Sequence, residues 1–405
     1  MVYDFLTLED VDVAGKTVFL RVDINAPLDP ASKRILDAGR IQAVAPTIKD
    51  LKGAKVVVGA HQSRPGRYDF TSLELHAKVL QMYLEQQEVK YTDDIIGKEA
   101  QRMIKELQPG QVLVLNNVRM LDEENREAPM EKLAETEFVK TMTPLMDLFV
   151  NDAFAAAHRS QPSLVGLCAT LPTVAGRLME AELRALNRVL DNPARPSVYL
   201  LGGAKVEDRI PVISRVLRDD VADTILIGGL VRDSFHMALG GMRKRCEQLD
   251  EDSLKQVGEA RAIMDKYPGK ITLPVDVALD VNRERVEVMA ERLTDETNIY
   301  DIGLNAIAQF SHRIMNSGTV VAEGPMGMFE RRGFDIGTKE LLRCMARCGG
   351  YTVVGGGHLG GLASMLGITG EMSHVSTGGG AMLSMLAGET LPVIEGLEKS
   401  KQRFG

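Results

Sequence analysis

Short, almost unbroken apolar runs alternate along this chain with longer segments whose apolar residues recur every third or fourth position. In the first half the runs are 17–22 (TVFLRV), 55–60 (KVVVGA), 111–115 (QVLVL) and 148–152 (LFVND). In the second half they are 197–203 (SVYLLGG), 224–229 (TILIGG), 270–276 (KITLPVD), 319–325 (TVVAEGP) and 351–357 (YTVVGGG). Between them, 39–51 (GRIQAVAPTIKDL), 72–87 (SLELHAKVLQMYLEQQ) and 305–316 (NAIAQFSHRIMN) carry the helical period. Apolar strands separated by helices predict parallel sheets covered on both faces. The fold class is therefore α/β, with two doubly wound, Rossmann-like sheet domains. A chain of 405 residues supports two such domains at roughly 150 residues each.

The boundary is marked by proline-containing stretches at 171–173 and 192–196 that flank a charged helical segment, 176–190 (GRLMEAELRALNRVL). This predicts an N-terminal domain over 1–172, an interdomain helix and hinge over 173–196, and a C-terminal domain over 197–391.

Ligands of open α/β sheets bind beyond the carboxyl ends of the strands. In the first half those ends are polar or basic. They are Asp23, Ile24 and Asn25 after the first run, and His61, Gln62, Ser63 and Arg64 after the second. Asn116, Asn117 and Arg119 follow the third, and His158 and Arg159 the fourth, while Arg40 opens the first long helix. One such arginine is usually a surface charge. Four arginines and two histidines at matched strand ends predict a pocket for a small polyanion, because the guanidinium fork suits phosphate and carboxylate oxygens. Asp23 and Asn25 are placed to orient the arginines; the plain alternative for Asp23 is a turn or cap residue.

In the second half the same positions are glycines. They are Gly202 and Gly203 before Lys205, then Gly228 and Gly229, Gly324 and Gly327 around Pro325, and Gly355 to Gly357. A single glycine pair is ordinary tight packing. Four in one sheet predict a nucleotide lying across the strand ends, with backbone amides and helix N-termini facing its phosphates. No Walker A sequence is present. Gly355 to Gly360 matches G-x-G-x-x-G, but no strand-terminal acid follows at the distance a dinucleotide ribose requires, which disfavours a dehydrogenase.

Composition narrows the partners. The net charge of −8 and pI near 5.6 disfavour nucleic acid and anionic membrane. Four scattered cysteines do not make a disulfide framework, and Cys344 and Cys348 have no further ligands for a metal. They are expected to be reduced thiols. The acidic N-terminus carries no apolar signal run, and nothing reaches the ~18 apolar residues of a membrane span. A cytoplasmic location is expected.

The motifs RVDINAP, GRIQAVAPTI, HQSRP, LNNVR, VNDAFAAAHRS, LGGAKVEDRI, IGGL, KITLPVD, EGPMGMFE, VVGGGH and SHVSTGGGA, in this order over about 20–381, resemble the phosphoglycerate kinase family. The resemblance implies a two-domain hinge enzyme that moves a phosphoryl group between 1,3-bisphosphoglycerate and ADP, giving 3-phosphoglycerate and ATP. It implies a triose site of Asp23, Ile24, Asn25, Arg40, His61, Gln62, Ser63, Arg64, Arg119, His158 and Arg159. It implies a magnesium-nucleotide site of Gly203, Lys205, Arg209, Gly228, Gly229, Pro325, Glu330 on the ribose, Gly355, Gly356, Gly357, His358 and Leu359. Thr377 and Gly378 to Gly380 would begin a further helix at the cleft, and residues 392–405 would return to the N-terminal domain. A monomer is expected, with a homodimer as the alternative.

Three departures resemble the archaeal branch of that family. Arg209 replaces a second lysine, His358 replaces an aspartate tied to the metal–nucleotide, and Ala322-Glu323 replaces Trp-Asn. They leave no residue assigned as the Mg²⁺ ligand, since imidazole is a poor partner for that cation. The acceptor in the ATP-using direction is a carboxylate, already ionised, so no general base is called for. Arg40 and Lys205, with the amides of Gly356 and Gly357, are the candidates for neutralising the transferred group. Hinge closure would exclude water. A non-catalytic phosphate-binding regulator on the same fold is the rival reading, and the presence of both Arg40 and Lys205 argues against it.

Overall fold

The computed structural model describes residues 4–294 and 298–405 and divides into two compact units. One runs to Arg184 and includes Thr390–Gly405; the other is Ala185–Glu389. The division falls inside the helix Arg177–Asp191.

The first unit holds strands β1 (Leu6–Thr7), β2 (Thr17–Val22), β3 (Lys55–Gly59), β4 (Val89–Tyr91), β5 (Val112–Val114), β6 (Leu148–Asp152) and β7 (Thr173–Ala175). They form one parallel sheet in the order β1-β7-β6-β2-β3-β5-β4. Side chains alternate faces along a strand, and two hydrophobic layers follow that parity. Val18, Leu20, Val56, Val58, Val112, Val114, Leu148 and Val150 share one layer; Phe19, Val57, Leu113 and Phe149 share the other. The C-terminal helix Pro392–Phe404 belongs to this unit, with Ser400 Oγ accepting from Thr173 N at 2.9 Å.

The helix Arg177–Asp191 starts from this sheet. Asp152, at the end of β6, accepts from Met179 N at 3.0 Å and from Thr47 Oγ1 at 2.5 Å, while Arg177 N donates to Thr47 Oγ1 at 3.0 Å.

The second unit contains β8 (Ser197–Leu201), β9 (Thr224–Ile227), β10 (Ile271–Thr272), β11 (Asp276–Val281), β12 (Glu284–Met289), β13 (Ile299–Ile302), β14 (Thr319–Glu323), β15 (Tyr351–Gly355) and β16 (His374–Val375). Six of them make a parallel sheet, β10-β9-β8-β14-β15-β16. The other three make an antiparallel sheet, β12-β11-β13, that the apolar runs did not announce.

Two expected elements are divided. The helical segment 39–51 is two short helices, Gly39–Ala43 and Ala45–Asp50. Pro46 has no N–H for the preceding turn but is well placed in the first turn of a new helix. The run 270–276 is likewise interrupted by Pro274, so that β10 ends at Thr272 and β11 begins in the other sheet at Asp276.

Candidate active site

In the first unit the carboxyl ends of β2, β3, β5 and β6 gather a cationic cluster. Asp23 Oδ1 accepts from Arg40 Nη1 at 3.1 Å and from Asn25 N at 3.0 Å. Asn25 Oδ1 accepts from Ser63 N at 2.9 Å, and Arg119 Nη1 donates to Ser63 O at 2.6 Å. Ser63, held from both sides, has φ +57°, a conformation non-glycine residues keep only when neighbours enforce it. Asn117 ties the same loops, donating to Gln62 O at 2.8 Å and Thr71 O at 2.9 Å.

The sequence reading missed the residue at the centre of this cluster. Arg21, in β2, is fully buried. It donates to Ser163 Oγ at 2.7 Å, lies 3.3 Å from His61 Nδ1 and 3.9 Å from Glu124. Glu124 accepts from Ser163 N at 2.9 Å. The only signal in the sequence was an arginine inside an otherwise apolar run.

Burial pushes the Asp23 carboxyl up, but Arg40, the Asn25 amide and Arg21 outweigh it and hold the group well below the usual carboxylate range. Burial, with Arg21, Arg119 and Arg159 nearby, keeps His61 well below its ordinary value despite Asp23, so the imidazole is neutral at pH 7. Burial and repulsion from Arg159 and Arg21 bring the Arg119 guanidinium down to about 10. Its Nη2 is buried with no hydrogen-bond partner among the described residues.

Of the remaining expected triose residues, Arg159 bears on the cluster through its charge, while Ile24, Gln62 and Arg64 do not join it through their side chains. Ile24 is fully buried in the hydrophobic layer. Gln62 is committed to the backbone of Ala26, through two bonds of 2.9 Å. Arg64 is exposed, outside the buried cluster. Arg159 Nε lies 3.4 Å from His158 Nε2.

In the second unit a cavity of about 550 Å³ runs along the carboxyl edge of the parallel sheet. Gly203, Lys205, Arg209, Gly229, Pro325, Glu330, Gly355, Gly356, Gly357, His358 and Leu359 all line it. Gly228 does not; a Cβ there would meet Met326 Sδ at 2.6 Å, so this glycine serves packing. Gly229 has φ +57°, and a Cβ on it would lie 2.4 Å from Gly203 N. Helices start at this edge after four of the strands: Val206–Arg218 after Lys205, Val231–Ala238 after Leu230, Gly357–Met365 after Gly356 and Gly379–Ala387 after Gly378. Their N-terminal amides favour anions. Lys205 is largely exposed, with Nζ 3.7 Å from Asp208. His358 is exposed beside the Phe329 ring, centroids 5.5 Å apart. Arg232 and Tyr300 also line the cavity and were not singled out from the sequence.

Glu323, the last residue of β14, is buried in the cavity wall. Its Oε1 is 3.3 Å from Arg209 Nη2, and its Oε2 has no hydrogen-bond partner among the described residues. Burial raises the carboxyl to about 7; Arg209 opposes the rise and Asp208 adds to it. Among the described residues no group of three His, Cys, Asp or Glu side chains is placed to cage a cation. What the wall offers a cation is the His358 imidazole and the single Glu323 carboxylate, too few oxygen ligands to hold magnesium without oxygens brought by a ligand.

A cationic cluster at the strand ends of one doubly wound unit and a glycine-lined cavity at those of another mark the chain as a phosphotransferase. The sequence profile of the family described as "Phosphoglycerate kinase" matches residues 8–389. The phosphoglycerate kinase of Methanobacterium bryantii is 44% identical over 404 residues, 98% of each chain. That of Methanococcus maripaludis is 46% identical over 412 residues, 98% of this chain and 99% of the relative. The crystal structure of phosphoglycerate kinase from Pyrococcus horikoshii superposes with a TM-score of 0.90 at 42% identity, covering 98% of this chain and all of that one. The Coxiella burnetii enzyme gives 0.79 at 30% identity. The chain belongs to the phosphoglycerate kinase family.

Proposed function

We propose that the first unit holds the phosphorylated acid, 3-phosphoglycerate or 1,3-bisphosphoglycerate, and the second holds ADP or ATP with Mg²⁺. The reaction is reversible phosphoryl transfer from the acyl phosphate to ADP. The observation that carries the triose assignment is the buried, unpartnered Nη2 of Arg119. It sits in a cluster where Arg21, Arg40, Arg119 and Arg159 act with the carboxylates Asp23 and Glu124. Such an excess of guanidinium groups calls for an anion.

The accepting carboxylate is ionised at neutral pH, so the protein's task is alignment and charge neutralisation. Arg40, anchored by Asp23, is the group in the first unit for the transferring phosphoryl oxygens. Lys205, with the Gly356 and Gly357 amides, serves from the second. Glu330, exposed in the cavity wall, is placed for ribose hydroxyls. Magnesium on the nucleotide would further neutralise phosphate charge. A cytoplasmic location belongs to the same reading.

The test is ATP formation from 1,3-bisphosphoglycerate in a coupled assay, with Arg40→Ala as the variant. Turnover should fall at least ~100-fold, the scale of losing one transition-state donor. Nucleotide affinity should be unchanged, because Arg40 belongs to the other unit. Turnover like that of the unmodified protein would refute the assignment.

A further inference from the structure

The transfer reading leaves one group in the cavity wall without a task. Glu323 ends β14 opposite Gly355 of β15 and Leu201 of β8, so its carboxylate stands between the two loops that would meet the phosphates. A Cβ built on Gly356 would lie 2.9 Å from each Glu323 oxygen, and one on Gly379 3.9 Å from Oε1. The carboxylate is therefore pressed against the turns that open two of the anion-facing helices. Its charge is only partly matched. Arg209 approaches Oε1 but is shared, its Nε bonded to Gly202 O at 3.2 Å and its Nη1 3.8 Å from Asp208. Oε2 has no partner at all among the described residues.

We propose that Glu323 makes this cavity select nucleotide complexed with a divalent cation over free nucleotide. The inference rests on the reading of the cavity as the nucleotide site. Once the carboxyl is ionised, a bare polyphosphate brings its full negative charge against an anion in a poorly solvated wall. Complexation with a cation removes most of that repulsion, and the cation gains a carboxylate neighbour, direct or through water, that His358 does not supply. An uncharged amide at this position could not discriminate in this way. One partly screened charge pair at this range is worth about tenfold in relative affinity.

The experiment is titration calorimetry on the full chain at pH 8.5, where the carboxyl is ionised. ADP is titrated once with excess magnesium and once with EDTA, into unmodified protein and into Glu323→Gln. The glutamine keeps the shape and removes the charge. The ratio of the two dissociation constants, free ADP over magnesium ADP, should fall about tenfold in the variant, chiefly through tighter binding of free ADP. Glu323→Asn, with a shorter neutral side chain, should shift the ratio the same way and serves if the glutamine variant does not fold. An unchanged ratio in a variant that still binds ADP would overturn the proposal while leaving the nucleotide site intact. Failure of the unmodified protein to bind either form would remove the nucleotide reading, and this inference with it.

Discussion

A buried carboxyl at the wall of a cavity should be visible in the protein's response to pH before any ligand is added. Glu323 titrates near 7 in the folded chain and at 4.5 when unfolded. Between those values the folded state keeps a proton that the unfolded state has released. Its contribution to stability is therefore fully present below pH 4.5 and is lost as pH rises to about 7. The loss is (7 − 4.5) times about 1.4 kcal/mol, on the order of 3 to 4 kcal/mol. Glutamine at this position has no proton to lose. The stability of Glu323→Gln relative to the unmodified protein should thus increase by about 3 to 4 kcal/mol between pH 4.5 and 8.5. At the acid end the two neutral side chains should leave the proteins nearly equal. Because the chain has two units, one global unfolding curve is a poor measure. Hydrogen exchange, corrected for intrinsic rates, should instead be followed in peptides covering Thr319–Glu323, with Thr17–Val22 of the other unit as an internal control. Parallel pH profiles for the two proteins in the Thr319–Glu323 peptides would refute the reasoning.

Two further outcomes follow from the cavity. Lys205→Ala should abolish most turnover while 3-phosphoglycerate binding, measured calorimetrically, stays normal, and Lys205→Arg should remain poor because a planar fork does not replace a compact ammonium; lost phosphoglycerate affinity with normal kinetics would reverse the assignment. Gly229→Ala places a Cβ 2.4 Å from Gly203 N at a positive φ. It should cost at least the ~1–2 kcal/mol of a left-handed L-residue and weaken ADP binding tenfold or more, so normal melting with normal ADP affinity would show that the turn yields.

The parts legible in the sequence were those whose pattern is strong on its own. Six- and five-residue apolar strands such as Thr17–Val22 and Tyr351–Gly355 announce themselves, and their ends then point to Asp23 and Gly356. Strands of two or three residues, such as Leu6–Thr7 and His374–Val375, carry too few positions to show a period, and exist because a neighbouring strand offers them a ladder. The hairpin of β11 and β12 was hidden for another reason. Its two-residue turn is Asn282-Arg283, with φ of +55° and +71°, where the usual signal would be Asn-Gly. Arg21 and Glu124 were missed because their pairing is nonlocal. Nothing in the sequence says that residues 103 positions apart will meet around Ser163. Arg209 and Glu323 were noticed as departures from a family pattern, but their contact, which depends on β14 lying beside β8 and on the helix that follows β8, is nonlocal.

The C-terminal helix has a consequence for how the protein is made. Val393 and Leu397 are fully buried in the first unit, and Ser400 bonds both Thr173 N and Leu171 O. A ribosome therefore releases every residue of Ala185–Glu389 before it supplies the last piece of the unit whose synthesis began first. The second unit is continuous and can close while that stretch is still to come, whereas the first waits, with part of its apolar surface uncovered, for Thr390–Gly405 to emerge.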